Sequence, residues 1–83
     1  MNKITLVSVS YNSSAALKDM LPSLPKFVDV IVVDNGSSDV AVTRDLVAKH
    51  GATLIELGEN LGFGSACNAG AEVIAKEFLL FLN

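Results

Sequence analysis

The chain has 83 residues, a formal net charge of −3 and one cysteine, Cys67. This is one small domain at most, and mild acidity with six scattered Lys and Arg argues against a nucleic-acid partner. A single cysteine excludes an internal disulfide and a Cys/His metal cage, and no apolar run approaches the ~20 residues of a membrane span.

The elements read off in order. ITLVSV, residues 4–9, is a strand-length run rich in β-branched residues, followed by Ser10, Tyr11 and Asn12. Leu17, Met20, Leu21 and Leu24 then recur at helical spacing behind a Ser13/Ser14 cap signal, and Pro22 and Pro25 end that helix early. VDVIVV, residues 28–33, is the second strand and runs straight into DNGSSD, residues 34–39. A second helix follows, capped by Asp39 or Ser38, with Val42, Leu46 and Val47 on one face and His50-Gly51 at its end. TLIEL, residues 53–57, is the third strand. The Gly-rich GENLGFGSACNAG, residues 58–70, opens a third helix over residues 62–76 with Ala66, Ala69, Val73 and Ile74 on one face. FLLFL, residues 78–82, is the fourth strand, apolar enough for burial on both faces.

Strands alternating with helices specify right-handed crossovers and a parallel sheet. The fold class is therefore α/β: a three-layer, Rossmann-like β-α-β-α-β-α-β unit with a four-stranded parallel sheet. In such sheets ligands bind beyond the carboxyl ends of the strands. That rule selects residues 10–12, 34–39 and 58–64, and whatever follows Asn83.

At these places each candidate has two readings. Asp34, directly after a buried strand, can accept hydrogen bonds from a ligand's ring N–H or ribose hydroxyls, or it can tighten the following turn. The residues alone leave that balance even. Asn35 to Ser38 read as turn chemistry and Asp39 as a helix cap. Tyr11 can stack on a base or pack on the next helix. Asn12 fits an Asx turn or a ligand contact. Gly62-x-Gly64-x-x-Cys67 lacks the last Gly or Ala of a dinucleotide fingerprint and follows the wrong strand, so an oxidoreductase reading is weak. Asn68 is the polar residue of that small-residue helix most suited to touch a ligand. Cys67 reads as a small buried hydrophobe, and His50 complements the helix dipole. No carboxylate pair is spaced to share a divalent ion.

SVSYN (8–12), VIVVDNGSSD (30–39), ENLGFGSACNAG (59–70) and FLLFLN (78–83) together resemble the start of a family 2 glycosyltransferase with the GT-A fold, nearest to bacterial rhamnosyltransferase-like members. The resemblance implies that residues 1–83 form the N-terminal nucleotide-binding half of such a domain. It implies that Ser10, Tyr11 and Asn12 lie by the nucleobase, that Asp34 bonds it, and that Asn60, Gly62 and Asn68 form the wall near the nucleoside. It further implies a UDP- or dTDP-sugar donor and an inverting transfer to a saccharide or lipid-linked acceptor. The divalent metal, Mg or Mn, would be held in the parent enzyme by an acidic motif beyond Asn83, with none held by this stretch alone. Cys67 stands near a position where many relatives carry Arg. The setting implied is polysaccharide biosynthesis in the cytoplasm, extending to peripheral association with the inner membrane.

Two further expectations follow. An uncovered FLLFL edge should dimerise or exchange strands, which sedimentation at high concentration would detect. A non-catalytic nucleotide-binding module is the alternative to an enzyme.

Overall fold

A computed structural model describes residues 4–72 and 78–82. The elements are β1 (Ile4–Ser10), α1 (Ser14–Met20), a 3₁₀ turn over Leu21–Ser23, β2 (Val28–Asp34), α2 (Val40–His50), β3 (Thr53–Glu56), α3 (Phe63–Glu72) and β4 (Phe78–Leu82). Pro22 sits inside the 3₁₀ turn, where its missing N–H costs nothing, and the chain then goes extended at Leu24. Gly51 ends α2 in the left-handed region at φ 70°, the conformation a side chain resists. The expected third helix reached residue 76. Its observed span ends at Glu72, and residues 73–77, with Val73 and Ile74, lie outside the described residues.

All pairings are parallel, in the order β3-β2-β1-β4. The first three strands step across the sheet one way. β4 then returns to the far side of β1, at the sheet's edge. The reversal of strand order therefore falls at β1, and the crevice it opens lies beyond Ser10.

Helices cover both faces. Val7, Ile31, Val33 and Ala66 form the core beneath α3, with Val9, Ile55, Leu57 and Ala69 packed on it. Leu17, Leu21, Val32 and Val47 form the other, beneath α1 and α2. The alternation of neighbours between cores, Val32 on one side and Val33 on the other, is the pleat of a strand buried on both faces. The small residues of α3 let it approach the sheet closely. A Cβ on Gly70 would stand 2.6 Å from Val7 Cγ1 and 3.2 Å from Val33 Cγ2.

One expected face is turned. Val42 is 52% exposed, whereas Thr43 is buried one step on, in line with Val47 four residues later. The β-branched threonine fills the space the sequence reading gave to valine. Its buried hydroxyl makes no hydrogen bond among the described residues.

β1 and β2 each run one residue further than their apolar patterns, so Ser10 and Asp34 are strand residues and register partners. That extension places the candidate site on the sheet itself.

Candidate functional site

Three loops meet at the carboxyl edge, and hydrogen bonds between residues about 25 apart hold them together. The main chain starts the assembly: Asn35 N–H donates to the Ser10 carbonyl at 2.8 Å, and Leu57 N–H donates to the Asp34 carbonyl at 3.0 Å. β1, β2 and β3 thus stay zipped as they leave the sheet.

Asp34 is only 2% exposed. By the pleat its side chain shares the α1/α2 face with Val32. Its Oδ2 accepts the Ser37 N–H at 3.0 Å, so half of the carboxylate tightens the turn. Its Oδ1 makes no hydrogen bond among the described residues, and neither does the hydroxyl of its register partner Ser10. Both readings of Asp34 thus find an oxygen: one is consumed by the turn and the other is left over. A buried carboxylate oxygen without a partner is costly, and a bound water, an ion or a functional contact would offset that cost.

Asn12 adopts φ 53° and joins the first loop to the second, rather than folding back into its own turn. Its N–H donates to Ser37 Oγ at 2.8 Å, and its Oδ1 accepts from the Ser38 N–H and hydroxyl at 2.8 and 3.0 Å. Asp39 occupies the N-cap position of α2, as expected, but makes no cap bond there. Its Oδ2 instead accepts the Ser14 N–H at 3.1 Å, capping α1 from across the site. Contacts with the Ser14 side chain and then its backbone hold the Asp39 carboxyl below the ordinary range.

A depressed folded-state pKa contributes stability above the unfolded value, lost as pH falls through the folded one. The stability gap between wild type and Asp39→Asn is therefore expected at neutral pH and should close as pH drops below about 4. Denaturant titrations of both proteins across that range check it. A gap that persists in acid would remove the charge from the cap's role.

The third loop is tied to the second through Asn35, which is buried. Asn35 Oδ1 accepts the Leu61 N–H at 2.8 Å, its Nδ2 donates to Asn60 Oδ1 at 3.1 Å, and that oxygen also accepts the Gly62 N–H at 2.9 Å. Gly36, at φ 84°, lies so close to the third loop that a Cβ would meet the Glu59 and Asn60 backbone at 2.6–2.8 Å.

The remaining candidates frame this cluster. Tyr11 follows β1 and is 49% exposed, and Leu61 and Phe63 are exposed on the third loop and at the start of α3. Gly62 takes φ 88°, with nothing within 4 Å of where a Cβ would stand. Asn68 is exposed on α3, which packs the opposite face of the sheet from the Asp34 side chain. The structure thus joins Ser10, Asn12, Asp34 and Asn60 in one hydrogen-bonded rim and leaves Asn68 apart. Asn35, Ser37 and Asp39, taken as turn and cap from the sequence, are the rim's connectors. Nothing in their local pattern reveals partners 25 residues away.

Ser10 also lines a cavity of about 120 Å³ between β1 and α1, with Ser8, Leu17 and Met20. A larger one of about 400 Å³ lies at the opposite end, between the 3₁₀ turn and Ala52, away from the rim. Cys67 is buried, and burial pushes its thiol pKa up, which suits the inert reading. His50 is in the last turn of α2. Among the described residues no group of three His, Cys, Asp or Glu could hold a metal ion. Among them, too, no helix is long and apolar enough to cross a membrane.

A parallel sheet with helices on both faces, and a polar rim where the strand order reverses, defines a Rossmann-like α/β protein, and the structural match below places it in the GT-A type. The chain belongs to glycosyl transferase family 2, whose family model matches residues 5–83. It is similar to the crystal structure of S. aureus TarS 1-349, with TM-score 0.78 and 26% identity over 96% of this chain and 26% of that one. It is likewise similar to S. aureus TarS 1-349 in complex with UDP, with TM-score 0.77 and 25% identity at the same coverage. The chain spans about a quarter of the length of these structures. No curated protein matches it in sequence.

Proposed function

We propose that this chain is the nucleotide-binding part of a glycosyltransferase that uses a UDP- or dTDP-sugar. The observation that carries the proposal is the Asp34 carboxylate: buried at the end of a central strand, with one oxygen held by Ser37 and the other without a hydrogen-bond partner among the described residues. Uracil and thymine present a ring N–H flanked by carbonyls. A fixed acceptor with an adjacent hydroxyl, Ser10, suits that edge. Tyr11 offers an exposed ring for stacking beside it. Asn60 and Gly62 form the wall toward the ribose, and Asn12 holds the first loop against the second. Asn68 would reach only a ligand that extends over the α3 side.

The similarity to a structure holding UDP supports the uridine reading. In the parent enzyme we assign an inverting, metal-dependent transfer to a saccharide or lipid-linked acceptor in the cytoplasm.

Calorimetric titration of this chain with UDP, dTDP, CDP and GDP, with and without Mn²⁺, tests the reading. Weak binding of UDP or dTDP that does not need Mn²⁺ is expected. Absence of binding by every nucleotide would overturn it.

A further inference from the structure

We propose that Asn35 is a positioning residue of the nucleotide pocket: it fixes the third loop against the first two, though it touches no nucleotide itself. The inference rests on the nucleotide-binding reading above. Its own ground is a hydrogen-bond arrangement that fixes which way both side-chain groups of Asn35 face.

Asn35 is held by three hydrogen bonds to two other segments. Its backbone N–H is bound to the Ser10 carbonyl, at the point where the strand order reverses. Its side-chain oxygen holds the Leu61 N–H. Its side-chain amide holds Asn60 Oδ1. The orientation of this amide is forced. The Leu61 N–H needs an acceptor, so Oδ1 must face it. Asn60 must in turn present oxygen to Asn35, because the same oxygen accepts the Gly62 N–H. Turning either amide over would set like groups against each other. The chain therefore needs a donor and an acceptor on one short side chain at position 35, which among short side chains asparagine provides. The exposed Leu61 and the open Gly62 are carried on the far side of these bonds. A ligand lying between Tyr11 and the third loop would meet walls whose separation Asn35 sets. The Gly36 backbone, packed against Glu59 and Asn60, gives the loop its other fixed point.

The substitution Asn35→Asp isolates this role. It keeps the acceptor for Leu61 and replaces the donor to Asn60 with an oxygen. At neutral pH the introduced carboxylate repels Asn60 Oδ1 and loosens the loop. Beside Asp34, and buried, that carboxyl would have a raised pKa. Protonated, it becomes a donor again and restores the bond. UDP affinity of Asn35→Asp relative to wild type should thus fall about tenfold near pH 7.5, the cost of one lost buried hydrogen bond, and recover near pH 5. Protection of the Leu61 and Gly62 amides from hydrogen exchange, relative to wild type at the same pH, should fall near pH 7.5 and recover near pH 5. In an Asn60→Ala background, Asn35→Asp should add no pH dependence, because the opposing oxygen is gone.

These readouts separate the outcomes. A residue that only supports folding would lower Tm and leave the affinity of the folded protein unchanged at both pH values, and that result would overturn the proposal. So would protection of the Leu61 amide in Asn35→Asp that equals wild type at both pH values, whether or not a nucleotide binds. Wild type that binds no nucleotide, with the exchange behaviour as expected, would overturn the pocket reading and leave Asn35 as a loop anchor only.

Discussion

Gly36→Ala is expected to lower stability by more than about 2 kcal/mol, which for a domain of this size is a fall in Tm of roughly 10 °C or more. Two costs add. At φ 84° a side chain is strained, by about 1–2 kcal/mol. The new Cβ also meets the Glu59 carbonyl carbon at 2.6 Å, Glu59 Cα at 2.7 Å and the Asn60 nitrogen at 2.8 Å. All three are backbone atoms, so no flexible tip can swing aside and the third loop itself must move. Gly51→Ala is the control: it has φ 70° with nothing within 4 Å of its Cβ, so it carries the strain without the collision. Chemical denaturation of both variants divides the terms. The Gly36 variant should also lose nucleotide affinity, since displacing Glu59 and Asn60 breaks the Asn35 bonds. Equal losses for the two variants would show that close approach is not the reason for glycine at position 36.

That contact marks where sequence reading stops. The strands were legible because runs such as ITLVSV and VDVIVV are apolar, β-branched and bounded by polar turns. The parallel topology followed from helices between them. What local pattern could not carry is the identity of a partner in another loop. Asn35-Gly36 is ordinary turn chemistry by itself, and only the arrival of Glu59 to Gly62 makes it a junction. Asp39 was legible as a cap, since it stands before a helix. That its carboxylate serves α1 depends on where Ser14 lies in space. Hydropathy points Val42 to the core, but Thr43 faces inward because the stripe must align with Val47. Each of these departures is a tertiary fact overriding a local preference.

Asp34 offers the other large effect, and two substitutions take its roles apart. Asp34→Ala removes both oxygens. The buried Ser37 N–H then has no acceptor, so stability should fall by about 1–3 kcal/mol and nucleotide binding should be lost. Asp34→Asn keeps an oxygen for Ser37 and turns the partnerless Oδ1 into an N–H₂ group. It also removes a buried charge, so stability should stay within about 1 kcal/mol of wild type. Binding should nonetheless collapse, because a ring N–H would face a donor. Losing a hydrogen bond to a carboxylate and gaining a clash of donors should weaken UDP on the order of 100-fold. Cytosine carries an acceptor nitrogen where uracil carries its N–H, so Asp34→Asn should prefer CDP to UDP, reversing the wild-type order. Calorimetry with both nucleotides reads the ratio directly, and denaturation of the same samples reads stability. If Asp34→Asn binds UDP as wild type does, the leftover oxygen is no base contact, and Asp34 is only the turn residue that its bond to Ser37 already makes it. If stability holds while the preference inverts, the carboxylate has two separable tasks: Oδ2 builds the loop, and Oδ1 selects the base.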